Sequence, residues 1–416
     1  MTQLSLAVSA QDPPADVRAA VRAWLDEHVP AEWLRAARTG DMETLRRVRP
    51  REVYVNWYPT LGATGLITPT WPREYGGLGL DRDLAGVIEE ELREAQLPKL
   101  NVLGLGLAAP TIMRWGTSQQ KKDLLPKIAT NEETWCQLFS EPGAGSDLSS
   151  LATRAKRDVD DWIISGQKTW TSFGDVAKRG MLLARTAPDR PKHQGLTYFV
   201  ADLEAPGVTV RPLRQMTGDA EFSEVFFDNV VLPDSARLGE VNAGWAVART
   251  TLMSERVTIS GVGSGFRDRL SGRSIDRLIE RASADGPVDP VQADQLVRLW
   301  MESRALHWTN RRVANVRSFG GEVGPEGSVG KLFQSEHNQR LQRTVSEMLG
   351  PRGVAFRPDD RDAATATYGF LRSRADTIAG GTSEVMRDLL AERVLGLPRE
   401  PAVARDIPWR DVKRNG

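Results

Sequence analysis

The sequence predicts an α+β fold of three successive domains, and changes of residue pattern along the chain indicate it. Residues 1–132 repeat apolar residues at helical spacing, residues 133–238 contain short runs of β-branched and aromatic residues, and residues 239–416 return to helical spacing. We therefore expect an N-terminal α-helical domain, a middle antiparallel β domain and a C-terminal α-helical bundle domain.

The N-terminal domain is expected to begin with a loose tail over residues 1–12. From Asp16 onwards, Val17 and Val21 fall at helical spacing with charged residues on the opposite face, so the first helix begins here. The segment 68–79 is rich in Pro and Gly and predicts a loop. Further helical patterns cover about 41–62, 81–95, 100–116 and 118–130.

The middle and C-terminal domains follow from the same kind of pattern. Short apolar runs separated by turn residues predict strands that begin near Trp162, Met181, Leu196, Val208 and Glu224. After Gly244 the pattern is helical to about residue 396. The Gly- and Pro-rich segments 285–290 and 319–327 divide this stretch into long helices, which predicts a bundle.

The composition excludes several classes of protein. A chain of 416 residues that is 40% hydrophobic can bury a large core. The 55 cationic residues balance the 55 anionic residues, so no net charge attracts nucleic acid or anionic membranes. The single cysteine, Cys136, excludes an intrachain disulfide and a cysteine-based metal cluster, and the four dispersed histidines lack metal-ligand spacing.

The sequence also bears on localisation. It lacks the pattern of a secretory signal at its start. Its longest apolar stretch, residues 102–113, is shorter than the roughly 20 residues that span a bilayer. We expect a soluble cytoplasmic protein.

A turn-rich segment, Gln137-Leu-Phe-Ser-Glu-Pro-Gly-Ala-Gly-Ser-Asp147, follows the start of the middle domain. Pro142 fixes its own φ, and Gly143 and Gly145 permit backbone conformations that other residues avoid. Such a loop can hold an anionic or hydrogen-bonding planar ligand against its backbone. Taken alone, it is also compatible with an ordinary surface turn.

A second segment, Gly166-Gln-Lys-Thr-Trp-Thr-Ser172, places the flat face of Trp170 beside two hydroxyl groups. The two segments together, in this order and at this spacing, closely resemble those of the acyl-CoA dehydrogenase family. In that family they enclose the isoalloxazine ring of FAD. The α–β–α domain order of the chain agrees with this resemblance over nearly its whole length.

The resemblance implies which residues contact the cofactor. One wall of the flavin site is expected to consist of Leu138, Ser140, Gly145 and Ser146, and the other of Trp170, Thr171 and Ser172. Ser146 is also expected to contact the pantetheine or phosphate region of the substrate. At the start of the last long helix, Thr382 and Glu384 are expected to approach the flavin, its diphosphate or a hydroxyl of its sugar chain.

Further cofactor contacts are implied from a neighbouring subunit. Arg281 corresponds to the Arg of an Arg-x-x-Phe-Gly motif whose Phe is missing here. Glu347 and Gly350 lie in a segment that resembles the loop receiving the adenosine end of FAD, although Glu347 and Pro351 depart from the usual residues. A cofactor site at a subunit junction implies an oligomer, by default a homodimer or homotetramer.

The catalytic base departs from the commonest pattern of the family. Gly380 stands where a Glu usually precedes Gly-Thr, so no side chain there can take a proton, although its backbone N–H can donate to the thioester oxygen. Other family members carry the base on an earlier helix, immediately before an Arg. Glu255 and Arg256 occupy that place, so Glu255 is the expected base, and Arg256 and Gly381 are expected to bind substrate.

The implied reaction is the FAD-dependent oxidation of an acyl-CoA thioester to the trans-2-enoyl-CoA, with transfer of electrons to an electron-transfer flavoprotein. This reaction belongs to fatty-acid and lipid metabolism. Two alternatives remain open. The chain is compatible with a flavin monooxygenase or oxidase on the same fold, and with one subunit of a hetero-oligomer whose site is incomplete alone. The position of the base slightly favours branched or bulky acyl groups, and the sequence does not identify the acyl group further.

Overall fold

The structure is a computed structural model that describes residues 6–259, 275–284, 286–318, 324, 328–355, 359–399 and 406–412. Helices, then a β-sheet, then helices follow one another along the chain. The predicted α–β–α order is therefore confirmed. The connections between the parts fall at residues 130–134 and 239–243.

The N-terminal domain is a helical assembly whose core is formed by apolar residues from most of its helices. Asp41 begins the third helix by accepting a hydrogen bond from the Thr44 N–H. The single helical pattern predicted over residues 41–62 forms two helices. They are separated at Pro50, because proline has no N–H to continue the first helix. The helices are α1 (Pro14–His28), α2 (Ala31–Thr39), α3 (Met42–Val48), α4 (Arg51–Gly62), α5 (Arg82–Glu94), α6 (Ala109–Trp115) and α7 (Ser118–Ala129).

The middle domain is one eight-stranded sheet with the order β6-β7-β3-β2-β4-β5-β8, in which β1 also pairs with β4. Most neighbours are antiparallel, as predicted, but β1 and β4 are parallel. The long connection between them makes this possible, because parallel strands cannot be joined by a tight turn. The strands are β1 (Trp135–Leu138), β2 (Arg154–Asp158), β3 (Asp161–Ser172), β4 (Arg179–Arg185), β5 (Leu196–Asp202), β6 (Val208–Leu213), β7 (Phe222–Pro233) and β8 (Arg237–Leu238).

The C-terminal domain packs its helices around Leu278, Leu296, Leu299, Leu341 and Val345. The predicted break at 285–290 falls between α9 and α10, and most of the second break, at 319–327, lies outside the described residues. The helices are α8 (Gly244–Ile259), α9 (Ile275–Ala284), α10 (Pro290–Ser318), α11 (Ser328–Met348), α12 (Arg361–Ser373) and α13 (Ser383–Arg393). Among the helices described, none combines the length and apolar character that crossing a bilayer requires.

Helix α8 is held by both of the other domains. The Oγ1 atoms of Thr251 and Thr111 in α6 are 2.9 Å apart, and the Tyr198 hydroxyl of β5 lies 3.1 Å from the same Thr251 atom. Trp115 Nε1 donates a 2.9 Å hydrogen bond to Thr250 Oγ1. These buried contacts fix α8 one turn before Glu255.

Candidate functional site

The turn-rich segment after β1 is fixed to β3 by a buried ion pair. Lys168 has no exposed surface, and its Nζ donates to Glu141 Oε1 at 2.8 Å and to the carbonyls of Phe139 at 3.0 Å and Leu183 at 2.8 Å. Glu141 in turn accepts hydrogen bonds from the N–H groups of Ala152 and Thr153. The Lys168–Glu141 pair therefore fixes the turn-rich segment against β3.

The charges of this pair affect each other's protonation. Burial lowers the pKa of Lys168, although Glu141 opposes this shift. Burial by itself would raise the pKa of Glu141. The Lys168 ammonium and the hydrogen bonds from Thr153 and Ala152 outweigh this effect, so the pKa lies below its ordinary value. Glu141 is therefore ionised at neutral pH. Lys168 is the one charged residue among the buried residues of β3, which also include Trp162 and Ile164.

Trp170 lies at the irregular end of β3 and presents an open aromatic face. Its side chain is 60% exposed, its φ is 57°, and the pairing of β3 with β7 shifts register between Lys168 and Thr171. The ring stands edge-on to Phe222 with centroids 5.9 Å apart. Since positive φ is uncommon for a bulky residue, the fold holds Trp170 in this position at some cost.

The residues expected beside Trp170 differ in accessibility. Ser172 is half-buried, and so is Ser140, whose carbonyl accepts a 2.9 Å hydrogen bond from the Thr169 N–H. The side chains of Thr171 and Leu138 have no exposed surface. Of these residues, Ser140 and Ser172 are accessible to a ligand, whereas neither the side chain nor the main chain of Thr171 or Leu138 is exposed.

The surroundings of Trp170 fit a flavin. An isoalloxazine ring needs an apolar face to stack on and hydrogen-bonding groups at its edge, and the exposed indole with the hydroxyls of Ser140 and Ser172 meets both needs. A Cβ added at Gly143 or Gly145 would meet no atom within 4 Å in the described part of the chain. The backbone of the loop is therefore open to a ligand.

The loop continues into an exposed polar turn. Ser146 and Asp147 are exposed, while Leu148 and Ser149 behind them are buried. Asp147 accepts hydrogen bonds from Lys192 Nζ at 2.7 and 2.9 Å. Burial would raise the pKa of Asp147, but the hydrogen bonds from Lys192 and the neighbouring serines lower it.

Glu255 lies on α8 and faces the start of this loop. Gln137 of β1 donates from Nε2 to Glu255 Oε2 at 3.1 Å, and the Glu255 side chain is partly buried. The carboxylate is thus held at the junction of the β domain and the C-terminal helices. The side chain of Arg256, the expected substrate ligand next to it, lies outside the described residues.

Lys331 of α11 connects Glu255 to the C-terminal motif. Its side chain is 3% exposed, and its Nζ donates to the carbonyl of Gly381 at 2.6 Å and to that of Asp376 at 2.9 Å. Burial lowers the pKa of Lys331, while the carboxylates of Asp376 and Glu255 oppose this shift. Sequence reasoning missed Lys331, although a lysine within the apolar run Val-Gly-Lys-Leu-Phe was a visible signal.

The Gly380–Gly381 turn requires glycine. Both residues have positive φ, 65° and 94°. A Cβ on Gly381 would lie 2.6 Å from Met386 Cε. Lys331 holds the turn through the Gly381 carbonyl, and the turn leads directly into α13, with Thr382 as its N-cap and Glu384 as its second residue.

Thr382 and Glu384 occupy the N-terminal end of α13. The Thr382 hydroxyl caps the helix by accepting from the Val385 N–H at 3.2 Å. Glu384 is exposed, and hydrogen bonds from its own N–H and from Thr382 lower its pKa. Glu384 is available to a ligand hydroxyl, whereas the Thr382 oxygen already serves the helix.

The residues expected to reach a neighbouring subunit lie on the surface of the C-terminal domain. Arg281 forms a forked ion pair with both carboxylate oxygens of Asp362, one at 2.9 Å. Glu347 pairs with Arg343 at 2.8 Å along α11. Gly350 follows α11 with a φ of 56°. The structure contains one chain, so their expected contacts with a neighbouring subunit stay predictions.

Comparison with protein-family models gives three consecutive matches. Residues 14–132 match the acyl-CoA dehydrogenase N-terminal domain, residues 136–230 its middle domain and residues 242–395 its C-terminal domain. Together the matches cover most of the chain and correspond to its three structural parts.

Curated relatives agree with the family models. The chain is 42% identical over 340 residues to the acyl-CoA dehydrogenase FadE34 of Mycobacterium tuberculosis, a match that covers 82% of this chain and 46% of that protein. It therefore spans about half the length of FadE34. It is 38% identical over 387 residues to the acyl-CoA dehydrogenase IpdE1 of the same organism, with 92% and 98% covered.

Solved structures of similar fold include two complexes. A steroid acyl-CoA dehydrogenase described as Tcur3481-Tcur3483 matches with a TM-score of 0.72 and 28% identity, covering 94% of this chain and 100% of that one. The ChsE4-ChsE5 complex of Mycobacterium tuberculosis matches with a TM-score of 0.71 and 29% identity, covering 94% and 100%. The chain belongs to the acyl-CoA dehydrogenase family, whose members are FAD-binding oxidoreductases.

Proposed function

We propose that the chain catalyses the FAD-dependent α,β-dehydrogenation of an acyl-CoA thioester to the trans-2-enoyl-CoA, with Glu255 as the base. The observation that carries this proposal is the position of Glu255, a partly buried carboxylate that accepts from Gln137 and interacts electrostatically with Lys331. A carboxylate held in this way at a domain junction is suited to accept a proton from a weakly acidic carbon.

In the proposed reaction, proton transfer, stabilisation of the thioester oxygen and flavin binding fall to different residues. Glu255 accepts the proton of the α-carbon, while the Gln137 amide donates to its carboxylate and the Lys331 ammonium interacts with it electrostatically. The main-chain N–H of Gly380 donates to the thioester oxygen, where negative charge develops as the α-proton leaves. FAD, when bound, supplies the acceptor for the hydride of the β-carbon. Trp170, Ser140 and Ser172 hold its ring.

A bulky ring system is the acyl group we propose. Support comes from the similar structure described as a steroid acyl-CoA dehydrogenase. The glycine at position 380 also supports it, because the residue that carries the base in much of the family has no side chain here. The alternative proposal is a straight-chain acyl group.

We further propose that the working enzyme is an oligomer that passes electrons to an electron-transfer flavoprotein. Helix α10 exposes Val297, Met301 and Trp308, the last 58% exposed, at spacings that bring them to one face. An apolar helical face of this kind is typical of a subunit contact. A partner of the same fold is supported by the two similar complexes.

Anaerobic titration of the purified protein with acyl-CoA thioesters tests the reaction. Ring-bearing, branched and straight-chain thioesters are compared by the bleaching of the flavin absorbance. Glu255→Gln should abolish bleaching and keep the flavin bound. Asp376→Asn is the matched control, because Asp376 is another partly buried acid held by Lys331 and Asn338 near the same turn.

The outcomes separate the alternatives. Bleaching that survives in Glu255→Gln but disappears in Asp376→Asn would transfer the role of base to Asp376. Rapid reoxidation of the reduced flavin in air would instead favour an oxidase. A chain that loses its flavin when purified alone, and regains it with a co-expressed second subunit, would favour a hetero-oligomer over a homo-oligomer.

A further inference from the structure

Two loops of the β domain converge on the guanidinium of Arg185. This residue of β4 is 2% exposed. Its Nη2 donates to the carbonyl of Ser149 at 2.6 Å and that of Leu151 at 3.3 Å, and its Nη1 donates to the carbonyl of Lys192 at 2.8 Å. Arg185 therefore fixes the backbone of the turn that follows Ser146 and of the loop that joins β4 to β5.

A third segment, residues 406–412, completes this cluster. The Arg185 guanidinium carbon lies 4.6 Å from the centre of the Trp409 ring, and Trp409 is buried. Trp409 Nε1 donates to the carbonyl of Ser150 at 3.1 Å, and its backbone N–H donates to that of Arg190 at 2.8 Å. Arg410 N–H donates to the carbonyl of Pro188 at 3.0 Å.

These contacts all reach the backbone of one turn, residues 149–151. The carbonyls of Ser149, Ser150 and Leu151 all receive donors from Arg185 or Trp409. A buried carbonyl that loses its donor is costly, so the turn is stable in this conformation only while both side chains are present. Ser146 and Asp147, which precede these residues in the same turn, are exposed.

The exposed side of the cluster has the chemistry of a phosphate-binding surface. Lys192 is held beside the turn by Asp147, and the exposed Arg190 and Arg410 lie in the two segments that the backbone bonds of Trp409 and Arg410 join. Acyl-CoA carries its phosphates on the nucleotide end, distant from the thioester that Glu255 would act on. A rigid turn next to several cations suits that end of the molecule.

We propose that residues 406–412 form a strap that positions the 146–151 turn for the nucleotide end of acyl-CoA. The identity of the ligand rests on the proposed function, whereas the positioning of the turn does not. The strap acts through Trp409, which contacts the turn but is itself buried. Trp409 is thus a positioning residue for substrate binding and leaves the chemistry at Glu255 unchanged.

The test compares Trp409→Ala, Trp409→Phe and a deletion of residues 406–416 with the wild type. Trp409→Phe keeps an aromatic ring at this position and removes the Nε1 donor to Ser150. Asp406→Ala is the control, because its exposed side chain lies in the same segment. Anaerobic flavin reduction is followed with one acyl group attached either to CoA or to pantetheine, which lacks the nucleotide.

Trp409→Ala should raise the KM for acyl-CoA about tenfold, equivalent to about 1.4 kcal/mol, with a smaller rise in Trp409→Phe and none in Asp406→Ala. The maximal rate of reduction and the KM for the acyl-pantetheine should change by less than about threefold. An equal rise in KM for both thioesters, or no rise for acyl-CoA, would overturn the assignment to the nucleotide end.

Hydrogen exchange measured without any thioester tests the strap independently. The amide groups of residues 147–153 should exchange faster in Trp409→Ala and in the deletion than in Asp406→Ala. Unchanged exchange would overturn the positioning role itself. If exchange is faster in Trp409→Ala but no acyl-CoA bleaches the flavin of the wild type, the positioning role of the strap is supported. The proposed ligand and the proposed function are then both rejected.

Discussion

Lys331 Nζ donates a hydrogen bond of 2.6 Å to the main-chain carbonyl of Gly381. One buried ammonium thereby joins the first turn of α11 to the turn that precedes α13. The same ammonium interacts electrostatically with Glu255 on α8. Three helices of the C-terminal domain meet at this charge, so it can hold the Gly380–Gly381 turn and the proposed base in fixed positions.

Lys331→Met should slow flavin reduction. Without the ammonium, the Gly381 carbonyl loses its donor and the turn shifts, and a misplacement of about 1 Å can cost about 100-fold in rate. We expect at least a tenfold fall in the maximal rate of anaerobic reduction, about 1.4 kcal/mol, with FAD still bound. Lys122→Met, on the exposed side of α7, is the control. An unchanged rate in Lys331→Met would remove Lys331 from the site.

Gln137→Leu should move the acid limb of the pH profile of kcat/KM to higher pH. The Gln137 amide donates to the carboxylate of Glu255, and a hydrogen bond to the charged form favours that form. Loss of this hydrogen bond should therefore move the acid limb measurably to higher pH. Gln167→Leu removes a similar amide, which donates to Glu224 at 2.8 Å, and should leave the profile unmoved. A shift in both variants would argue against a specific effect on Glu255.

Glu141→Gln should destabilise the protein in a pH-dependent way. Breaking a buried ion pair costs about 3–5 kcal/mol, because Lys168 is left without its partner. The folded pKa of Glu141 lies below its ordinary value of 4.5, so its stabilisation is present above that pH and is lost as pH falls through the folded pKa.

Urea unfolding of wild type and Glu141→Gln, at about pH 7 and about pH 4, measures this effect. The difference in unfolding free energy should be largest at the higher pH and smaller at the lower. Glu89→Gln is the control, because Glu89 forms an exposed pair with Lys99 and should cost less than about 1 kcal/mol. A difference that stays constant with pH would contradict the lowered pKa.

Two tryptophans of β3 should respond oppositely to replacement by alanine. Trp170 is exposed, so Trp170→Ala should change the unfolding free energy of the flavin-free protein by less than about 0.5 kcal/mol and release FAD more readily. Trp162 is buried, so Trp162→Ala should cost about 3–5 kcal/mol. Thermal unfolding and flavin absorbance after gel filtration measure the two effects. Retention of FAD by Trp170→Ala would contradict the stacking role.

The strands that the sequence predicted are those with a local apolar signal. The runs at Trp162, Met181 and Leu196 are buried on at least one face and correspond to β3, β4 and β5. Strand β2 was not predicted, because four of its five residues are charged and only Ala155 is buried. The parallel pairing of β1 with β4 was not predictable either, since it depends on the path of a long connection.

The candidate functional site likewise contains residues with a local sequence signal and contacts that arise only on folding. Ser140 and Trp170 could be predicted as flavin contacts because each lies in a compact motif and the two motifs together resemble those of the family; these contacts stay predictions. The contact between Gln137 and Glu255 joins residues 118 positions apart, and it arises only when β1 and α8 pack together. Lys331 and Trp409 were missed for the same reason, because their partners come from other segments of the chain.

The parallel pairing of β1 also bears on how the chain folds as it is made. The ribosome releases β1 well before β4, the strand to which it hydrogen-bonds. Until that partner emerges, the nascent chain must carry an unsatisfied strand edge next to a completed helical domain. A pause in translation between the two strands should therefore increase chaperone binding or misassembly, whereas a pause after β4 should have little effect.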